Sequence, residues 1–144
     1  MVEDINNFDD VYDGIDIALD DGMEALHDTT LSRVMRNWDS GTDAMGNSWP
    51  QLAAATVDAK GSSQILTDSG GLKANVKAES EYRKKTRTSV ITSTLPYAAV
   101  HEFGLAEQGI PARPFLGPAA EFAMSKLTLI SDELDDQLVN AEIK

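Results

Sequence analysis

Pro96-Tyr97-Ala98-Ala99-Val100-His101-Glu102-Phe103-Gly104 sits two thirds of the way along this 144-residue chain. Proline at a first helical position and glycine just past the end predict a short helix of about two turns. Tyr97, Val100 and Phe103 recur every third residue, so the reading buries them together against a sheet, with Gly104 supplying a positive φ. His101 and Glu102 are the polar members. Two readings stand for the histidine: a backbone hydrogen bond inside the fold, or a contact between subunits. Downstream, Ile110-Pro111-Ala112-Arg113-Pro114-Phe115-Leu116 holds two prolines that stiffen the return into a final helix.

Working outward, Val11, Ile15, Leu19, Met23, Leu26, Val34 and Trp38 recur at steps of mostly three or four, which predicts a helix from about 9 to 39. Asp9, Asp10 and Asp13 suit its N-terminal dipole, while Gly14 and Gly22 weaken it by ~1 kcal/mol each and leave room for a kink near Gly22 or residues 28–30. Ser40 to Ser48 is rich in turn formers and reads as a loop. A short helix over Leu52–Ala59 follows, and then two strands, Leu72–Glu81 and Arg87–Ser93, on the strength of their β-branched residues. The last helix spans about 118–139, with Phe122, Met124, Leu127, Ile130, Leu134 and Leu138 as its apolar side. The fold class is α+β: an antiparallel β-sheet packed with a long N-terminal helix, a short central helix and a long C-terminal helix.

With 42% hydrophobic and 25% charged residues, the composition is that of one soluble globular domain covering residues 1–144. The acidic start, Met1-Val2-Glu3-Asp4-Ile5, is unlike a secretory signal, and no apolar run reaches the ~20 residues of a membrane span, so a water-borne protein without a targeting step is expected. Net charge is −12. It is unevenly placed: residues 1–48 carry 12 Asp and Glu against 2 Lys and Arg, residues 49–126 carry 7 against 9, and residues 127–144 carry 5 against 1. Acidic ends thus flank a balanced middle. Carboxylate excess of this kind keeps a surface hydrated at molar salt, where the Debye length is only ~3 Å, so the composition fits a halophilic source, with lower stability at low salt, or an ordinary acidic protein that avoids nucleic acid and other acidic surfaces.

Chemistry-bearing patterns are few. The absence of cysteine excludes disulfides, thiolate metal sites and thiol nucleophiles. His101-Glu102 lacks the second histidine that a zinc peptidase needs, because position 105 is leucine. No Gly-x-Ser-x-Gly elbow or phosphate loop is present, and the paired acids Asp20-Asp21 and Asp135-Asp136 fall on amphipathic helices as solvated faces. No cofactor, metal or catalytic residue is expected. The basic run Arg83-Lys84-Lys85-Thr86-Arg87 holds four of the 12 basic residues. It reads as a hairpin end kept soluble by charge, as a grip on an acidic neighbouring subunit, or as a contact to DNA phosphates.

The stretch from Ser89 to Gly104, followed by Ile110 to Ala119, resembles the tail-completion or virion morphogenesis (head–tail joining) proteins of tailed phages and tailed archaeal viruses, including Mu-type and lambda-like lineages. Upstream, Trp49-Pro50-Gln51-Leu52, Thr56, Lys60 and Gln64-Ile65-Leu66-Thr67-Asp68-Ser69-Gly70-Gly71-Leu72 are similar to the family in order. The doubled glycine at 70–71 departs from its usual single one. The resemblance covers about residues 46–120, and the flanking helices match in type only. Its motif residues here are Trp49, Leu66, Gly70, Leu72, Tyr97, His101, Glu102, Phe103, Gly104, Pro111, Ala112, Arg113, Pro114, Phe115 and Leu116.

The resemblance implies a structural, non-enzymatic subunit of a ring, commonly sixfold, in the virion neck and assembled in the host cytoplasm. Implied partners are other copies of the chain, a connector or stopper protein on the capsid side, the tail tube protein, and genomic DNA in transit through the lumen, with no membrane. Neighbour contacts are expected at the loops 40–48, 83–87 and 105–112. A tail terminator or other neck protein, a small nucleic-acid-binding module, and a hydrolase built on clustered carboxylates are the other readings.

Overall fold

The computed structural model describes residues 7–61, 65–66 and 70–142. The acidic start, the motif positions Gln64, Thr67, Asp68 and Ser69, and the side chains of Val11 and Lys60 lie outside the described residues. Helix α1 (Asn7–Asp39) carries Asp9 and Asp10 in its first turn and Arg36 in its last, each sign facing the favourable end of the dipole. Neither Gly22 nor residues 28–30 interrupt it. At 33 residues it is about 50 Å long. Gly41, at φ 70°, turns the chain out of it, with the Gly41 N–H donating to the Trp38 carbonyl.

Beyond a turn pinned by the buried Asp43 carboxylate, which accepts from the Met45 and Asn47 N–H groups, come α2 (Ala54–Lys60) and α3 (Gly71–Glu79). The expected strand over Leu72–Glu81 is therefore mostly helix. Leu72 and Val76, four residues apart, are its buried pair, and Ala74, Ala78, Lys73, Lys77 and Glu79 around them are good helix formers. One β-branched valine did not outweigh them.

The sheet is a single antiparallel hairpin, β1 (Glu81–Arg83) with β2 (Thr88–Val90), in the register Glu81↔Val90, Tyr82↔Ser89 and Arg83↔Thr88. A hairpin this small cannot carry a core. It leans on α1 instead, where His27 is hydrogen-bonded to Ser89 at 2.8 Å and Arg87 reaches Asp16 and Asp20, each at 2.9 Å.

Helix α4 (Ala98–Phe103) leads through the Leu105↔Ile110 bridge to α5 (Leu116–Ser125) and α6 (Thr128–Glu142). The one expected C-terminal helix is thus two. The Ser125 hydroxyl donates to the Phe122 carbonyl and the Lys126 N–H falls back on Ala123, which tightens and ends the turn. The break resets the apolar face: Phe122 is buried, but Met124, Leu127 and Leu138 are exposed.

Phe122 lies against Arg33 and Ile130 against Gly22, so the chain returns antiparallel along α1. The core sits at the C-terminal end of α1, where Val34, Trp38, Trp49, Ile65, Leu72, Val76, Phe115 and Phe122 cluster. Trp38 is central, edge-on to Trp49 at 5.4 Å and 5.2 Å from the Phe115 ring.

At the α1–α6 crossing a Cβ on Gly22 would lie 3.0 Å from the Ile130 Cα, so the glycine sets the helix separation. Gly22→Leu should lower stability by about 1–3 kcal/mol through overpacking, despite its better helix propensity. Thermal melting reads this, and an unchanged midpoint would mean that α6 does not press on α1.

Candidate functional site

Trp49, His101, Glu102, Gly104, Arg113, Pro114, Phe115 and Leu116, of the residues quoted for the resemblance, meet at the seam between α4, the 49–52 segment and the start of α5. Helix α5 begins at Pro114-Phe115-Leu116, a sequence with no local side chain to cap it. Glu102 of α4 supplies the cap from a distance: its carboxylate accepts from the N–H groups of Phe115 (2.7 Å), Leu116 (2.9 Å) and Gly117 (2.8 Å). An anion on three free amide groups at a helix N-terminus is favoured by both hydrogen bonding and the dipole.

Arg113 performs the reciprocal task. Only 7% exposed, it donates from Nε to the Pro50 carbonyl (2.8 Å) and from Nη2 to the Gln51 carbonyl (3.0 Å). Its own N–H donates to the His101 carbonyl at 2.7 Å. Trp49 closes the seam by donating its indole N–H to the Pro114 carbonyl at 2.7 Å. Burial pushes the Arg113 pKa down, and the guanidinium makes no ion pair among the described residues.

Gly104 is demanded by this seam as well as by its φ of 75°: a Cβ there would meet the Ala112 nitrogen at 2.7 Å and the Ile110 carbonyl oxygen at 2.9 Å. Leu66, at φ 56°, turns its carbonyl to the Trp38 indole, while Gly70, at φ 73°, caps α3 and Leu72 is buried.

Two expectations about α4 are overturned. Phe103 is 81% exposed and Tyr97 is 44% exposed, so neither is core. The period of three is helical, but among the described residues the sheet is the β1–β2 hairpin alone, and Ala98 is the buried position of α4. Nor does a backbone bond satisfy His101, whose Nδ1 is buried with no hydrogen-bond partner among the described residues.

Tyr97, edge-on to the imidazole at 6.0 Å, and His101 form one wall of a groove of about 1060 Å³. Leu52 and Thr56 line it from the α2 side, and Leu66, Pro111 and Arg113 also line it.

The basic run is divided. Arg87, at φ 50°, pairs with Asp16 and Asp20, and Asp20 also accepts from the Tyr82 hydroxyl at 3.5 Å. Arg83 pairs with Glu81 at 2.6 Å, which leaves Lys84 and Lys85 at the exposed tip. No group of three or more potential metal ligands occurs among the described residues. No described helix is long and apolar enough to cross a membrane. The roles of Glu102 and Arg113 escaped the sequence reading, although a helix start without a capping residue was the available signal for a distant cap.

Glu102→Ala should cost about 2–3 kcal/mol, since it strands amide groups at the α5 start, whereas Phe103→Ala should stay within ~0.5 kcal/mol. Chemical denaturation distinguishes them, and a large loss in Phe103→Ala would restore that ring to the core.

Burial first, and then the Arg113 charge, hold the His101 pKa below its ordinary value of 6.5. The unfolded chain therefore takes up the proton first, and stability is lost as pH falls from the unfolded value toward the lower folded one. In His101→Gln this part of the pH dependence should vanish. The readout is the change in melting midpoint between about pH 7.5 and pH 5.5 in the two proteins, and parallel changes would show an imidazole that titrates freely.

Neither the curated proteins nor the solved structures include a match to this chain. A comparison with protein families does find one, over residues 19–138, which takes in the α1–α6 crossing, the aromatic core and the whole Glu102–Arg113 seam. On that match, which spans far more than half its length, the chain belongs to the phage virion morphogenesis family.

Proposed function

We propose that this chain is a non-enzymatic tail-completion or head–tail joining protein, one subunit of a ring in the virion neck. The ring stands between the connector or stopper on the capsid side and the tail tube, and genomic DNA passes through its lumen. The observation behind this reading is that the two charged residues of the motif act on the protein's own backbone, with Glu102 capping α5 and Arg113 clamping the 50–51 carbonyls. Among the described residues no group of three or more potential metal ligands occurs, and the open surfaces suit contact with large partners.

Charge supports the same reading. Asp9, Asp10, Asp13, Asp16, Asp21, Glu24 and Asp28 are exposed along α1, with Asp132, Asp135 and Asp136 along α6. An acidic wall lets DNA slide past without binding, and Lys84 and Lys85 at the hairpin tip offer a complementary grip for a neighbour. Such a surface also suits a halophilic host, because salt screens the repulsion between the paired acidic helices.

Light scattering in ~2 M salt, with and without isolated tail tubes, tests the assignment. A ring mass, or binding at tube ends, is the expected result. A monomer that ignores tubes and binds duplex DNA would make the protein a nucleic-acid-binding module instead. In the same assay Arg83→Glu should fold normally and assemble less, and an undiminished assembly yield would remove the hairpin from the interface.

A further inference from the structure

The 1060 Å³ groove is an electrostatic exception on this protein. The sequence holds 24 Asp and Glu, yet none is among the groove's described lining residues. The charge among its described lining is Arg113, 7% exposed, which gives Nε and Nη2 to the Pro50 and Gln51 carbonyls but has no carboxylate partner among the described residues, set beside the His101 imidazole. The remaining wall is largely apolar, with Leu52, Leu66 and Tyr97. It fits an aromatic group accompanied by a carboxylate.

That combination is displayed by the chain itself. Phe103 is the most exposed large apolar side chain among the described residues, and Glu107 is exposed in the adjoining 3-10 turn, Ala106–Gln108. The helical repeat fixes the relation between the two features. Tyr97 and His101, four residues apart, share the groove face of α4, whereas Phe103 follows His101 by two residues and projects from the opposite side, in line with exposed Ala99. One six-residue helix thus has a socket on one side and an aromatic projection on the other.

We infer that the groove is the acceptor site for a second copy of this chain, which inserts Phe103 and brings Glu107 toward Arg113. This rests on the ring reading and names the contact that builds it. Because projection and socket lie on different faces, the interface is head-to-tail and each subunit keeps one of each free until a ring closes. An exposed aromatic seated in a preformed pocket is the kind of residue that dominates interface energies.

The cysteine-free sequence makes the test direct. Ala99→Cys, beside the projection, and Thr56→Cys, on the groove wall, are prepared separately, mixed above the association midpoint and treated with a short bismaleimide. The mixture should give a covalent dimer and nothing larger, each variant alone should give none, and the double variant should give a ladder ending at the ring mass. A dimer from Ala99→Cys alone would mean a two-fold contact and overturn the proposal.

If the mixture fails to link while the unmodified protein has a ring mass, the groove takes a different partner and only the ring reading survives. If the unmodified protein stays monomeric with tail tubes present, both readings fall. Independently, Phe103→Ser should raise the concentration for half-assembly by roughly thirtyfold at an unchanged melting midpoint. Full assembly at wild-type concentration would overturn the inference.

Discussion

The constraint on which the rest of the molecule depends is that two opposite charges, Glu102 and Arg113, are held by backbone dipoles and not by each other. Glu102 is satisfied by three amide groups at the α5 start, and Arg113 by two carbonyls of the 50–51 segment. A direct ion pair would fix one distance; these two clamps fix three segments. Helix α4 is bound to α5 by the carboxylate and to the 49–52 segment through Arg113, whose own N–H meets the His101 carbonyl. Trp49 then passes the constraint to Trp38 and so to α1. The buried Arg113 and the half-buried Glu102 would each be costly if left unpaired, so loss of either partner set should loosen the whole seam.

What was legible in the sequence follows from how local its cause is. The N-terminal helix, the loop after it, the basic hairpin end and the short helix before Gly104 all rest on spacing, capping and turn preferences within a few residues, and the structure has them. The errors come from tertiary choices. Residues 71–79 have a weak pattern either way, and burial of Leu72 and Val76 on one face settles them as helix. The 125–127 break depends on α5 following the core while α6 follows α1. Phe103 was assigned to the core because aromatic residues at helical spacing usually are, but α4 has only its Ala98 face to bury.

The same distinction separates the motif's structural residues from its interactive ones. His101 and Glu102 are adjacent in sequence and polar, yet only Glu102 has its hydrogen-bonding capacity used within the chain. An unpartnered buried nitrogen costs about 1–3 kcal/mol, a penalty a fold tolerates where the surrounding geometry is fixed by something stronger. Here that is the Arg113 clamp, whose N–H holds the His101 carbonyl and whose charge, after burial, also lowers the His101 pKa. Sequence alone cannot divide such a pair, because the division is made by residues a dozen positions away.

Charge distribution carries the last step. In the proposed ring, the acidic α1–α6 pair of one subunit repels that of its neighbours, which favours contacts where carboxylates are missing. The groove beside α4, with no carboxylate among its described lining residues, and the lysine tip of the hairpin are two such places. The seam holds the α4 wall of the groove, and the Arg87 ion pairs hold the hairpin against α1. Preformed contacts of this kind lower the ordering cost of association. In the proposed ring, Glu102 serves the fold alone and Phe103 the contact alone, while Arg113 belongs to both, as clamp of the 50–51 carbonyls and as a wall of the groove.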